Sequence, residues 1–254
     1  FKQKTAYAIL SGLVGSEMCI RDSDIISKFT VNFGSDNVKQ SGRFYAWEAM
    51  VHCEHKCYEG GNEIGVGVEH VYRNMRRVCK RIAPNLKLPE KDSIGDDTIV
   101  MHLRSGDNYH RIFEPPTNYI PNPLIFYLNL IDSFDKCILI TEPDRKNPIV
   151  HELLKIDKVQ IQSSTVADDF ATLMSAKNVA LSGVGTFAMA AALCSTRIKN
   201  LYTTNLLLTE HLNYSMMHNT DVKVHEMNLE NYLPVFPCSW KNTEEQRKFI
   251  LDYR

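Results

Sequence analysis

The run His102-Leu103-Arg104-Ser105-Gly106-Asp107 puts an imidazole, a guanidinium, a hydroxyl and a carboxylate side by side. Arginine offers a planar fork of donors that matches phosphate oxygens. Gly106 lets the backbone turn sharply or come close to a ligand, and Asp107 can hold Arg104 or cap a turn. The same residues also suit a salt-bridged surface loop. A second run begins at Asp168-Asp169 and continues through an apolar stretch to Ser182-Gly183-Val184-Gly185-Thr186-Phe187. Glycines between a strand and a helix make an anion-friendly turn, where backbone N–H groups and the helix dipole face the ligand. The hydroxyls of Ser182 and Thr186 add hydrogen bonds there. Of the two aspartates, either both cap the helix they precede or one accepts hydrogen bonds from a base or ribose. Glu142, in Thr141-Glu142-Pro143-Asp144, is a candidate for ribose or sugar contact, or part of a plain polar loop.

These residues need a scaffold that brings strand ends together. From residue 97 the pattern alternates strand and helix. Strands are predicted over 98–103, 137–141, 159–161, 178–181 and 200–204. Helices are predicted over 123–131, with Asn122 as its cap, and over 147–155, 167–176 and 186–194. Short apolar strands alternating with helices indicate an α/β domain with a doubly wound parallel sheet. In such sheets ligands bind beyond the carboxyl ends of the strands, where both runs fall. Upstream, residues 24–96 read as the remnant of an N-terminal, acceptor-side domain, with a helix over 67–82 and a polar linker over 89–97. Downstream, residues 228–254 hold Pro234, Pro237, Trp240 and a charged helix over 244–253. This tail is expected to pack back across an interdomain cleft.

Order and spacing together resemble the fucosyltransferase superfamily, which includes α-1,2-, α-1,6- and protein O-fucosyltransferases. The resemblance runs from His-x-Arg-Ser-x-Asp at 102–107 to Asp169, Leu173, Ala176, an apolar strand, and Ser182, Thr186 and Phe187. It covers about half the chain. It implies a GT-B-like, Rossmann-like fold with an incomplete N-terminal domain. The implied activity is an inverting, metal-independent transfer of fucose from GDP-fucose to a glycan or glycoprotein, with no cofactor. Arg104 inherits contact with the diphosphate. His102 and Asp168 or Asp169 are expected near the guanosine, and Thr186 and Phe187 around the diphosphate and base. Ser105, Gly106, Asp107, Glu142, Ser182, Gly183 and Gly185 complete the expected donor site. Ser105 stands where many members carry a second arginine, and Gly185-Thr186-Phe187 replaces Ser-Thr-Phe. A Golgi or secretory location, and a membrane anchor upstream, follow only from the resemblance.

Other readings stay open. A silent nucleotide-sugar or glycan-binding module would share the fold. A nicotinamide-dependent oxidoreductase would use Gly183 and Gly185, although Ala188 stands where a third glycine belongs and Thr203-Thr204-Asn205 offers no acid for a ribose. Gly60-Gly61-Asn62 echoes the family's N-terminal glycine loop. Cys53, His55 and Cys57 are too tightly spaced for the usual zinc sites. Cys53, Cys57, Cys79 and Cys238 are candidates for disulfides in an oxidising lumen, and Cys137 and Cys194 for core thiols. Asn213-Tyr214-Ser215 fits a glycosylation acceptor.

The 254 residues carry 44% hydrophobic and 23% charged side chains with a net charge of -1, an ordinary soluble composition. That balance gives no reason to expect nucleic acid as a partner. Residues 13–23 resemble a translated sequencing adapter and are set apart, with 1–12, from the fold.

Overall fold

A computed structural model describes residues 79–80, 83–112, 119–183, 185, 187–206, 221–232 and 240–254. The upstream helix is therefore seen only at Cys79 and Lys80. The adapter-like segment, the Cys53–Cys57 region, Gly60-Gly61-Asn62, Cys238, the glycosylation triplet and Thr186 lie outside the described residues.

Six strands form one parallel sheet: β1 (Thr98–His102), β2 (Lys136–Ile140), β3 (Val159–Gln162), β4 (Asn178–Ala180), β5 (Asn200–Thr204) and β6 (Lys223–Met227). Their spatial order is β3-β2-β1-β4-β5-β6, and every neighbouring pair is parallel. The chain thus builds outward from β1 through β2 to β3, then returns to the other side of β1 to lay down β4. Helices α1 (Leu124–Asp132), α2 (Pro148–Leu153), α3 (Val166–Ser175), α4 (Phe187–Cys194) and α5 (Glu244–Asp252) complete the described fold.

The sheet is covered on both faces. Alternate residues of β1 point in opposite directions. Ile99 and Met101 join a core with α1, α2 and α5, whereas Val100 joins a core with α3 and α4. β1 is buried throughout, as the apolar run Ile99–Met101 requires of a central strand. α4, Phe187–Cys194, is buried at every position. Its alanines keep the helix thin enough to lie against the sheet and α3.

The α/β reading therefore holds, with four adjustments. The cap of α1 is Pro123, which makes no side-chain cap bond; Asn122 is committed elsewhere. The cap of α3 is Thr165, whose side chain accepts the Asp168 N–H. Asp168 and Asp169 sit inside the first turn, where carboxylates meet the positive end of the helix dipole. β6 is the strand that the pattern did not show, because Lys223-Val224-His225-Glu226-Met227 mixes charge into an edge strand. Residues 89–97 also do more than link: Ile94, like Leu88 just before the segment, packs on the α3–α4 core, and the Ile94 N–H bonds Ser175 O.

The tail closes on this domain. Trp240 is fully buried, donates from Nε1 to Asn108 O at 2.7 Å, and packs its ring 5.2 Å from that of Tyr109. α5 lies against α1 and α2. Arg247 reaches Lys146 O at 2.9 Å and sits 5.8 Å over the Tyr109 ring. Residues 24–78 of the upstream domain lie outside the described residues, and what the structure shows of the tail is this clamp behind residues 106–111. Its driving force is aromatic burial, which charge patterning along α5 does not reveal.

Candidate functional site

The carboxyl edge of the sheet, where β1 sits between β2 and β4, gathers most of the residues singled out in the sequence. β1 ends at His102, and the chain leaves it as an irregular segment followed by a 3-10 turn at Gly106–Tyr109. Gly106 has φ +63, a conformation that suits glycine. A Cβ there would stand 3.5 Å from Glu142 Oε1, so the turn is pressed against the loop after β2.

That loop holds the turn from beneath. Glu142 Oε2 accepts the Ser105 N–H at 2.5 Å, and Asp144 Oδ1 accepts the Gly106 N–H at 3.0 Å. Asn147 closes the arrangement: its N–H donates to Ser105 Oγ at 3.0 Å and its Nδ2 donates to Arg104 O at 2.9 Å. The same Asn147 caps α2 through the Ile149 N–H. Three successive residues of the Arg104 segment are thereby anchored to one neighbouring loop.

Arg104 is the charge this framework carries. Its Nη2 donates to Asp107 Oδ1 at 3.0 Å, and its side chain is 16% exposed. Burial works against the guanidinium charge, but Asp107 and Glu142 outweigh it and hold the group above its usual value. Glu142 shows the converse. Burial pushes its carboxyl up, and the Ser105 N–H and Arg104 only partly offset that. Asp107 also caps its own turn through the Asn108 N–H at 3.0 Å. Arg104 is thus a fixed, charged donor at the place where the winding of the sheet reverses.

His102 is buried beneath it. Burial first, and Arg104 second, push its pKa down to about 3, so the ring is neutral at physiological pH. The ring lies 5.2 Å from that of Phe187, which in turn packs 5.5 Å from Phe170. Phe187 is therefore a core residue at the start of α4, only 6% exposed.

The turn after β4 is shaped by packing. Gly183 has φ +86, and a Cβ on it would come within 2.3 Å of Ile120 O and 3.0 Å of Asn122 N. Only glycine permits the residue 120–122 backbone to pass so close. A Cβ on Gly185 would meet Ser182 Oγ at 2.8 Å. Asn122 ties the same region together, donating from Nδ2 to Leu181 O at 2.9 Å and accepting from Thr204 Oγ1 at 2.7 Å.

Asp168 and Asp169 stand apart from Arg104, beside the end of β3. Since β3 is two strands from β1, the offset is roughly 10 Å across the sheet. Asp168 faces outward to Lys91 at 3.2 Å. Asp169 is buried, accepts Gln162 Nε2 at 2.8 Å and the Ser164 N–H at 3.3 Å, and has its carboxyl pushed up by burial.

The carboxyl edge also holds buried polar atoms that have no partner among the described residues. His102 Nδ1, Thr141 Oγ1, Ser163 Oγ and Ser182 Oγ have none. They lie at or just past the ends of β1, β2, β3 and β4. Buried polar atoms are seldom left unpaired. Their concentration at one edge marks where an external group would be received.

Sequence reasoning missed Asn147, Asp144 and His110, whose Nε2 meets Asp144 Oδ2 at 2.6 Å. The Asn147-Pro148 pair signals a helix start but not the second job of the asparagine. Among the described residues no group of His, Cys, Asp and Glu is disposed to hold a metal ion. No described helix is long and apolar enough to cross a membrane. Cys137 and Cys194 are buried free thiols. Cys79, a candidate for a disulfide, is likewise fully buried, in the α3–α4 core. Comparison with family models, with characterised proteins and with solved structures finds no match for this chain.

Proposed function

We propose that the carboxyl edge around Arg104 binds the diphosphate of a nucleotide sugar, and that the protein is a fucosyltransferase-like glycosyltransferase with a GT-B-like, Rossmann-like architecture. The observation that carries this reading is the placement of Arg104. It is a charged guanidinium locked by Asp107 at the crossover between β1 and β4, beside buried polar atoms without partners. The strand order 3-2-1-4-5-6 is also that of nucleotide-binding doubly wound sheets, whose ligands lie at this crossover.

In the proposed reaction GDP-fucose is the donor and a glycan or glycoprotein hydroxyl the acceptor, in the secretory lumen. As the bond from the anomeric carbon to the diphosphate breaks, the sugar gains oxocarbenium character and negative charge collects on the leaving oxygens. Arg104 would stabilise that charge without reorganising, because its partners already hold it. No metal is called for in this scheme, since the arginine does the neutralising.

A thermal-shift titration of the full chain with GDP, UDP and NAD tests the reading. Ligand at a hundred times its Kd stabilises the folded state by about 2.7 kcal/mol. GDP alone should raise Tm, and Arg104→Ala, checked as folded by circular dichroism, should abolish the shift. A response to NAD alone would replace the proposal with a nicotinamide-dependent oxidoreductase. GDP binding without consumption of GDP-fucose would leave a silent binding module.

A further inference from the structure

The same edge carries a histidine–carboxylate pair that donor binding does not use. His110 follows the Gly106–Tyr109 turn, and its Nε2 lies 2.6 Å from Asp144 Oδ2. The other oxygen of Asp144 accepts the Gly106 N–H at 3.0 Å. One carboxylate therefore joins His110 to the segment that carries Arg104.

The chemistry of the pair fixes its polarity. Burial opposes the charge on Asp144, but hydrogen bonds from Gly106, Ser105, His110 and Lys146 outweigh it and hold the carboxyl below its ordinary value. An ionised carboxylate only accepts, so the shared proton is assigned to His110 Nε2. In the neutral ring the lone pair then resides on Nδ1. Among the described residues Nδ1 has no hydrogen-bond partner, and the side chain is 49% exposed. A half-exposed imidazole oriented by a carboxylate, with its basic nitrogen unengaged, has the form of a general base.

We propose that His110 is the general base of the glycosyl transfer and that Asp144 is its positioning residue. The inference rests on the nucleotide-sugar reading above. The acceptor O–H gives its proton to His110 Nδ1 while the oxygen lone pair forms the new bond to the anomeric carbon. The bond from that carbon to the diphosphate breaks, and its electron pair leaves on the diphosphate oxygen facing Arg104. Asp144 stabilises the resulting imidazolium.

The test uses the full chain, GDP-fucose as donor and water as acceptor, with GDP release as the signal. Acylation of His110 by diethyl pyrocarbonate, read by peptide mass spectrometry, runs in parallel. Saturating GDP-fucose should slow acylation of His110 about tenfold or more. His110→Ala should keep KM for GDP-fucose within about twofold while kcat falls by about 10²- to 10⁴-fold. Added imidazole should restore part of that loss, and Asp144→Asn should lower kcat by a larger factor than it raises KM for GDP-fucose. His110 acylation indifferent to bound GDP-fucose overturns the proposal. So does wild-type turnover in His110→Ala, or a wild-type chain that binds GDP-fucose without releasing GDP. In each of those cases donor binding still stands. If GDP-fucose fails to raise the Tm of the wild-type chain, the donor reading itself falls and takes this one with it.

Discussion

Glu142 and Ser105, 37 residues apart in sequence, are joined by a 2.5 Å hydrogen bond from the Ser105 backbone N–H to the Glu142 carboxylate. It is the tightest of the bonds that hold the Arg104 segment to the loop after β2. Glutamine at position 142 keeps an oxygen acceptor, whereas alanine leaves a donor without a partner. Losing the partner of a buried donor costs about 1–3 kcal/mol. Glu142→Ala should therefore lower stability by about that amount and Glu142→Gln by less than about 1 kcal/mol. Urea midpoints of the two variants decide the matter. Equal losses would mean that the bond does not anchor the segment.

His102 makes acid the weak side of this fold. Its pKa is near 3 in the folded protein and 6.5 ordinarily. The unfolded chain thus takes up a proton that the folded chain refuses. The sign follows: this share of stability is present above about pH 6.5 and drains away as pH falls towards the folded value. The slope reaches about 1.4 kcal/mol per pH unit for a single group. Glutamine cannot charge, so His102→Gln should flatten the decline between about pH 6 and pH 4 relative to wild type. Chemical denaturation at several pH values reads this directly, and parallel curves for the two proteins would refute it.

The α/β architecture was legible because buried parallel strands and their helices write apolar runs and Gly-rich turns into the chain. His102, Arg104, Gly106 and Gly183 were found for the same reason: they sit where strands end. What stayed hidden depends on contacts between distant segments. Asp144 and Asn147 matter because their loop lies against the Arg104 turn. β6 escaped because Lys223, His225 and Glu226 leave only Val224 and Met227 apolar at a sheet edge, too few and too irregularly placed to show a strand period. Phe187 illustrates the converse. The family resemblance implied a place for it around the diphosphate and base; in the structure its ring packs against those of His102 and Phe170.

The two positive-φ glycines should respond differently to the same substitution. At Gly106 an added Cβ meets only the Glu142 side chain, at 3.5 Å. Gly106→Ala then pays mainly for the left-handed backbone, about 1–2 kcal/mol. At Gly183 the same conformational cost is joined by a clash with Ile120 O at 2.3 Å, and backbone cannot yield as a side chain can. Gly183→Ala should therefore be clearly the more destabilising of the two in thermal or urea unfolding. Comparable losses would show that the backbone at residues 120–122 can move aside.

Asn122 offers the sharpest distinction between a local and a long-range role. As a helix cap it would contribute about 1 kcal/mol, independently of any residue outside α1. In the structure it is 1% exposed and bridges two strand ends, bonding Leu181 O and Thr204 Oγ1. Asn122→Ala orphans both partners and should cost about 2–4 kcal/mol, while Thr204→Val removes a single bond and should cost about 1 kcal/mol. Because the two side chains share a bond, the double variant should lose less than the sum of the single losses, with a coupling of about 0.5–3 kcal/mol. A double-mutant cycle on equilibrium unfolding measures that coupling. Strict additivity would return Asn122 to a local role, and the 120–122 segment would then be held chiefly by Tyr232, whose hydroxyl donates to Pro121 O at 2.8 Å.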